Sequence, residues 1–318
     1  LATQVFLNDI SLPDGVIGYS EAKKTFLAFV HLLKEVRRRD RAFVLYLPVM
    51  VSDLQIGPCS VAKLRNDADC SDESLWLKTL ADRAPYAASL AELSGPDSRA
   101  YEFIYHDCQD GTIRDRRVEG LGLAYLFDSL AVAFNHDHRW RVEWVEVERR
   151  ELTDAGEIIA GPVRVRHAGL PAHLATHAAL FAPEPSLPQD GRALWRDRAE
   201  LFPHLAFIGR VRPQLEAFEH GDERLRQVWK RFGKLDRAVG TWDPAVSKQP
   251  VYGIEVKEES ESRIDAGLVD FQDDEGITRP FSLHFSVTPD PHRVHFRLET
   301  APTARAVIGH VGRKLGIG

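Results

Sequence analysis

The chain has 318 residues, 44% hydrophobic and 28% charged, with a formal net charge of -6. These values describe a soluble globular protein long enough for two cores, and they exclude nucleic-acid binding through overall charge, leaving only a local basic patch for that role. No apolar run reaches the roughly 18–20 residues of a membrane span, "LATQVFLNDISLPDG" shows no signal-peptide pattern, and Cys59, Cys70 and Cys108 lack C-x-x-C spacing. The expectation is a cytoplasmic bacterial protein with reduced thiols, its Leu1 marking an alternative start codon.

In chain order, "TQVFLND" is predicted as a strand closed by the turn residues of "SLPDG". "SEAKKTFLAFVHLLKEVRRR" repeats Phe26, Leu27, Val30 and Leu33 at helical spacing, and its basic end suits a helix C-terminus. "AFVLYLP" is a strand, and "SDESLWLKTLADRAP" a helix capped by Ser71 or Asp72 with Pro85 beyond it. "YEFIYHD" is a strand before the polar loop "CQDGTIRDRRVE". "GLGLAYLFDSLAVAFN" (120–135) is apolar on nearly every side and is predicted as a buried central helix. Asp128 within it needs a partner, for which Arg114, Arg116 and Arg117 are candidates. "RWRVEWVEVERRELTDAGEIIAGPVRVRH" reads as a hairpin turning at "TDAG", with a shift of phase after Trp144 that suggests a bulge.

The Pro-rich "APEPSLPQDG" (182–191) is predicted as a linker between a domain of residues 1–181 and one of residues 192–318. "GRALWRDRAELFPHL" and "DERLRQVWKRFGKLDRAVGTW" are helices, and "RPFSLHFSV", "HRVHFRLE" and "ARAVIGHVG" are strands, the first two joined at "TPDP". The acidic "EVKEESESRIDAG" reads as a solvated loop or strand edge. The fold class expected is α+β in two domains: an N-terminal mixed α/β domain with a buried central helix, and C-terminal helices packed on a small antiparallel sheet.

Four constellations could carry chemistry. In "VRHAGLPAHLATHAALF", His173 and His177 stand four apart, so one helix would aim both rings at one metal ion, with His167 as third ligand. The glutamate of H-E-x-x-H is missing, and a helix start that holds histidines accounts for the same residues. His136, Asp137 and His138 in "NHDHRWR", with His106 and Asp107 in "YHDC", make a two-histidine, one-carboxylate set if their segments converge. Glu255 and Lys257 in "YGIEVK", with Asp243 upstream, match the way Mg²⁺ nucleases hold metal, and equally match any half-exposed strand. Lastly, Arg293, His295 and Arg297 share one face of "HRVHFRLE", to which neighbouring strands add His284, His310, Arg313 and Lys314. Such a face can hold phosphate and move protons near neutral pH.

"HRVHFRLETAPTARAVIGHVGRK" resembles the last two strands of RelE/ParE-type toxins, which end in an R-h-x-h strand and an apolar strand leading to a Gly-His or His-Arg signature. Over roughly residues 205 to 318 this implies a small sheet packed on helices and, in the RelE branch, a metal-free RNA-cleaving face. Arg293, Arg297, His310 and Lys314 would carry that role, with His295 beside them. The chain departs from those toxins in its length and in the acidic insert before the sheet. "GLGLAYLFDSLAVAF" through "VRHAGLPAHLATH" resembles an uncharacterised bacterial family of mobile or host-defence loci.

The function expected is a component of an antiphage or toxin-like defence system that contacts RNA or DNA through the cationic C-terminal face. It would act as effector or binding subunit, with a co-encoded protein partner, no membrane and no cofactor. The alternatives are a hydrolase or nuclease that uses a divalent metal on the N-terminal histidines and aspartates, and a non-catalytic scaffold subunit.

Overall fold

Strand β1 (Gln4–Leu7) is buried along its whole length, as a strand enclosed on both faces of a parallel sheet must be. In the computed structural model, which describes residues 3–13, 17–84, 86, 101–109, 112–152, 157–181, 187–287 and 292–316, helix α1 (Tyr19–Arg39) returns the chain to β2 (Val44–Tyr46), parallel to β1. Helix α2 (Ser71–Lys78) leads to β3 (Ala81–Arg83), parallel to β2. The antiparallel pair β4 (Tyr101–Gln109) and β5 (Thr112–Arg117) and helix α3 (Gly120–Leu126) precede β6 (Leu130–Val132), which enters on the free side of β1. β7 (Trp144–Leu152) and β8 (Ile158–Ala168) complete the sheet.

The strand order is β3-β2-β1-β6-β8-β7-β4-β5. The first five strands are parallel and the last three alternate in direction. The parallel half reverses its winding between β1 and β6, as doubly wound sheets do.

Several expectations are corrected here. The apolar stretch 120–135 is no single helix: α3 ends at Leu126, Asp128 takes φ 51°, and β6 follows as a wholly buried strand. Continuous apolarity suits a central strand as well as a buried helix, and the left-handed residue decides between them. Ala81–Arg83 is likewise a strand where a helix end was expected. The Trp144 bulge is absent, because Trp140 lies in a short 3-10 turn and β7 starts at Trp144, pairing without interruption from Trp144–Arg166 to Leu152–Ile158. The "TDAG" and "TPDP" turns lie outside the described residues.

Contacts divide the chain into two units, Leu1–Pro183 and Glu184–Gly318. The second contains α4 (Gly191–Leu201), β9 (Leu205–Phe207), α5 (Val211–Glu216), α6 (Glu223–Gly240), β10 (Lys257–Glu258), α7 (Glu261–Asp265), β11 (Asp270–Gln272), β12 (Thr278–Pro280), β13 (Leu283–Val287), β14 (His292–Glu299) and β15 (Arg305–Arg313). Its main sheet runs β9-β15-β14-β13-β10. β9 is parallel to β15, so the sheet is mixed where an antiparallel one was expected. Leu225, Val228, Phe232, Leu235 and Val239 give α6 one apolar stripe, which enters a core with Val294, Phe296 and Ile308 from the sheet. The chain is thus α+β, and among the described residues no helix is long and apolar enough to cross a membrane.

Candidate functional site

Directly opposed residues on neighbouring strands share a sheet face. His284 on β13 pairs with His295 on β14, and His295 pairs with His310 on β15. Three imidazoles therefore stand in one row, with ring centroids 5.3 Å and 5.8 Å apart. Strict alternation along β15 would put His310 on the same side as the core residue Ile308. A register shift prevents this: His295 pairs with His310 but Phe296 with Ile308, so Gly309 is the extra residue of a bulge. A Cβ on Gly309 would lie 2.3 Å from the Phe281 ring, so only glycine fits there.

The row does not face water. Residues 259–281 fold over it: Phe271 lies against His295 and His310, and the Arg297 guanidinium sits over Phe281. His295 is fully buried, with His284 and His310 nearly so. Glu259, from the stretch expected to be solvated, is buried as well. Arg263 Nε lies 2.9 Å from its Oε1, Arg293 Nη1 3.3 Å and His284 Nδ1 3.7 Å from its Oε2. A carboxylate flanked by two guanidiniums can be buried at tolerable cost, and that is why the acidic insert settles here.

Burial lowers all three imidazoles: His284 to about 3, with Arg293, Lys257 and Arg263 adding positive charge, His295 to about 2, and His310 to about 4. All are neutral at pH 7. His310 is satisfied, its Nε2–H donating to Arg313 O (3.1 Å) and its Nδ1 accepting from Gln214 (3.0 Å). His295 Nδ1–H donates to Phe281 O at 3.3 Å, which leaves Nε2 with a lone pair and no partner. His284 Nδ1 is also buried without a hydrogen bond. Among the described residues, Glu259, His284 and His295 form the one set of three metal-ligating atoms within 4.8 Å of one another.

The expected open cationic face is therefore corrected. Arg293 is committed to Glu259 and Arg297 to Glu299 at 2.5 Å, both mostly covered. Of the other residues expected there, Lys314 follows β15 half-buried and Arg313 is exposed at its end. Arg210, which the sequence reading passed over, is exposed beside α5 with its guanidinium 4.0 Å from the Phe271 ring centroid. Neither Arg210 nor Arg313 has a carboxylate partner among the described residues. Glu259 was also missed, though its four-residue spacing to Arg263 was a signal for a helical ion pair.

The N-terminal histidines do not assemble as a metal site. His167 ends β8, while His173 and His177 sit in and just after a 3-10 turn (Pro171–Ala175), so no helix face carries both. His167 Nδ1–H donates to Val142 O (2.9 Å), His173 Nδ1 accepts from Gly169 N–H (3.3 Å), and His177 Nε2–H donates to Glu143 O (2.9 Å). One nitrogen of each ring is thus tied to the backbone, the three histidines are not among the sets of described residues whose ligating atoms come within 4.8 Å of one another, and burial lowers His167 to about 4.

The "YHDC" and "NHDHRWR" segments do converge, but on a cation: Arg139 lies 2.7 Å from Asp107 and 2.9 Å from Asp137. His106 pairs with Asp115, and His138 is exposed. Asp128 pairs with Arg166 at 2.6 Å and not with the expected loop arginines. Asp243 caps its own turn through Ala245 N–H, and Glu255 is exposed beside Lys257, so the nuclease-like set is not formed. At the C-terminal end of β1, the side on which doubly wound sheets bind ligands, the start of α3 packs on Leu7 and its Gly120 N–H donates to Asp9 at 2.9 Å. Compared with protein-family models, with curated proteins and with solved structures, the chain matches none.

Proposed function

We propose that this chain is a nucleic-acid-contacting component of a bacterial defence or toxin-like system, working through the Arg210–Arg313 edge of its C-terminal unit. One observation carries this reading. Arg210 and Arg313 are exposed, have no carboxylate partner among the described residues and border His310, which feels the Arg210 charge and donates to the Arg313 carbonyl. Unpaired guanidiniums are the groups that phosphate recognises, by paired hydrogen bonds as well as charge. The Phe271 ring already holds Arg210 in place, so less side-chain freedom is lost on binding.

The defence context rests on the two resemblances. We read the two compact units as two domains joined at the Pro-rich 182–191 segment, in a cytoplasmic protein with a co-encoded partner. The test is retention of labelled RNA, single-stranded DNA and duplex DNA in EDTA. The wild type should retain at least one of them, with affinity falling steeply with salt. Arg210→Ala with Arg313→Ala should weaken retention roughly tenfold or more and reduce the salt slope by about two. Equal retention by a folded double variant, or none by the wild type, rejects this function.

A further inference from the structure

We propose that Glu259, His284 and His295 form a binding site for one divalent transition-metal ion of zinc type. The argument begins with the orphaned nitrogens. His284 and His295 are at least nine-tenths buried, each keeps an unpartnered ring nitrogen, and with Glu259 they form a set of ligating atoms within 4.8 Å of one another. A buried polar atom without a partner is costly, and native proteins seldom keep two together unless something else binds there.

The arrangement has the hallmarks of a ligand set. His295 donates its other nitrogen to a backbone carbonyl, Phe281 O, the outer contact that orients metal-bound histidines. Arg263 at Oε1 and Arg293 at Oε2 fix the position of the Glu259 carboxylate. Tetrahedral zinc with bonds of about 2.0–2.1 Å needs ligand atoms roughly 3.4 Å apart. His284 Nδ1 and Glu259 Oε2 are 3.7 Å apart, too far for a hydrogen bond and close to that spacing. Two neutral imidazoles and one carboxylate select a borderline metal over Mg²⁺ or Ca²⁺, which prefer oxygen.

Three protein ligands leave a fourth position open. A water or hydroxide is the ordinary occupant of such a position. This site shares no ligand with the Arg210–Arg313 edge, and because nucleic-acid retention is read in EDTA the two proposals can fail independently.

The full chain should be expressed in zinc-supplemented medium, desalted and analysed for metal. The wild type should carry about one zinc per chain, and Glu259→Gln, His284→Gln and His295→Gln each less than about a tenth of that. His31→Ala, on the exposed side of α1, should retain the full amount. Because a core variant can misfold, the wild type expressed with Co²⁺ supplies a second readout, the visible absorption of tetrahedral cobalt, lost on zinc exchange. Sub-stoichiometric metal in the wild type, an octahedral cobalt spectrum, or full occupancy in folded His284→Gln and His295→Gln would overturn the proposal.

Discussion

His167 shows how burial converts a titratable residue into a pH-dependent element of stability. Its imidazole is fully enclosed and lowered to about 4, chiefly by desolvation, with His173 and His177 opposing a second positive charge. In the unfolded chain it titrates near 6.5. The folded value is the lower one, so the unfolded state takes up the proton first as pH falls. Its contribution is complete above about pH 6.5 and drains away down to about pH 4, by on the order of 3 kcal/mol. Urea melts at pH 7 and pH 4 should show a smaller loss for His167→Asn than for wild type; equal losses would remove His167 as the cause.

Asp128 is a second residue-scale case, with φ 51° and an ion pair to Arg166. The pair is partly exposed and contributes at most about 1 kcal/mol. Asp128→Gly forfeits that pair without backbone strain, whereas Asp128→Val also strains the backbone by roughly 1–2 kcal/mol. Thermal melts should rank glycine above valine by that margin, and the reverse order would mean the backbone is unconstrained here.

Among the elements, two are defined by what glycine permits. Gly309 makes the bulge that turns His310 onto the histidine face, and its Cβ would meet Phe281. Gly120 lets α3 press on β1, where a Cβ would lie 1.9 Å from Leu7 O. Gly309→Ala and Gly120→Ala should each cost about 1–3 kcal/mol by overpacking. Gly161→Ala on β8, with nothing within 4 Å, should change stability little. Chemical denaturation distinguishes them, and indifference at Gly309 would mean the bulge persists without glycine.

Element boundaries were legible where periodicity is strong. Phe26, Val30 and Leu33 gave α1 away, and the stripe from Leu225 to Leu235 gave α6. They were illegible where every side is apolar, because 120–135 obeys no period that separates helix from strand.

At the scale of the molecule, each unit has its own apolar cluster, one around β1, α1 and α3, the other around α6 and β13 to β15. A separate core is the requirement for independent folding. Fragments 1–183 and 184–318 should therefore each melt cooperatively in calorimetry. A fragment without a transition would show that the two cores depend on one another.

By itself the sequence determined the local periods: the amphipathic helices, the shared face of Arg293, His295 and Arg297, and the histidines available to join it. Tertiary structure alone decided that a bulge brings His310 into that row, that Glu259 and Phe271 seal it from water, and that Arg139 gathers Asp107 and Asp137. The reason is physical. A strand's alternation is set by its own dihedral angles, whereas register, cover and ion-pair choice depend on segments that meet only after chain closure. They are selected by the cost of leaving charge or apolar surface unmatched.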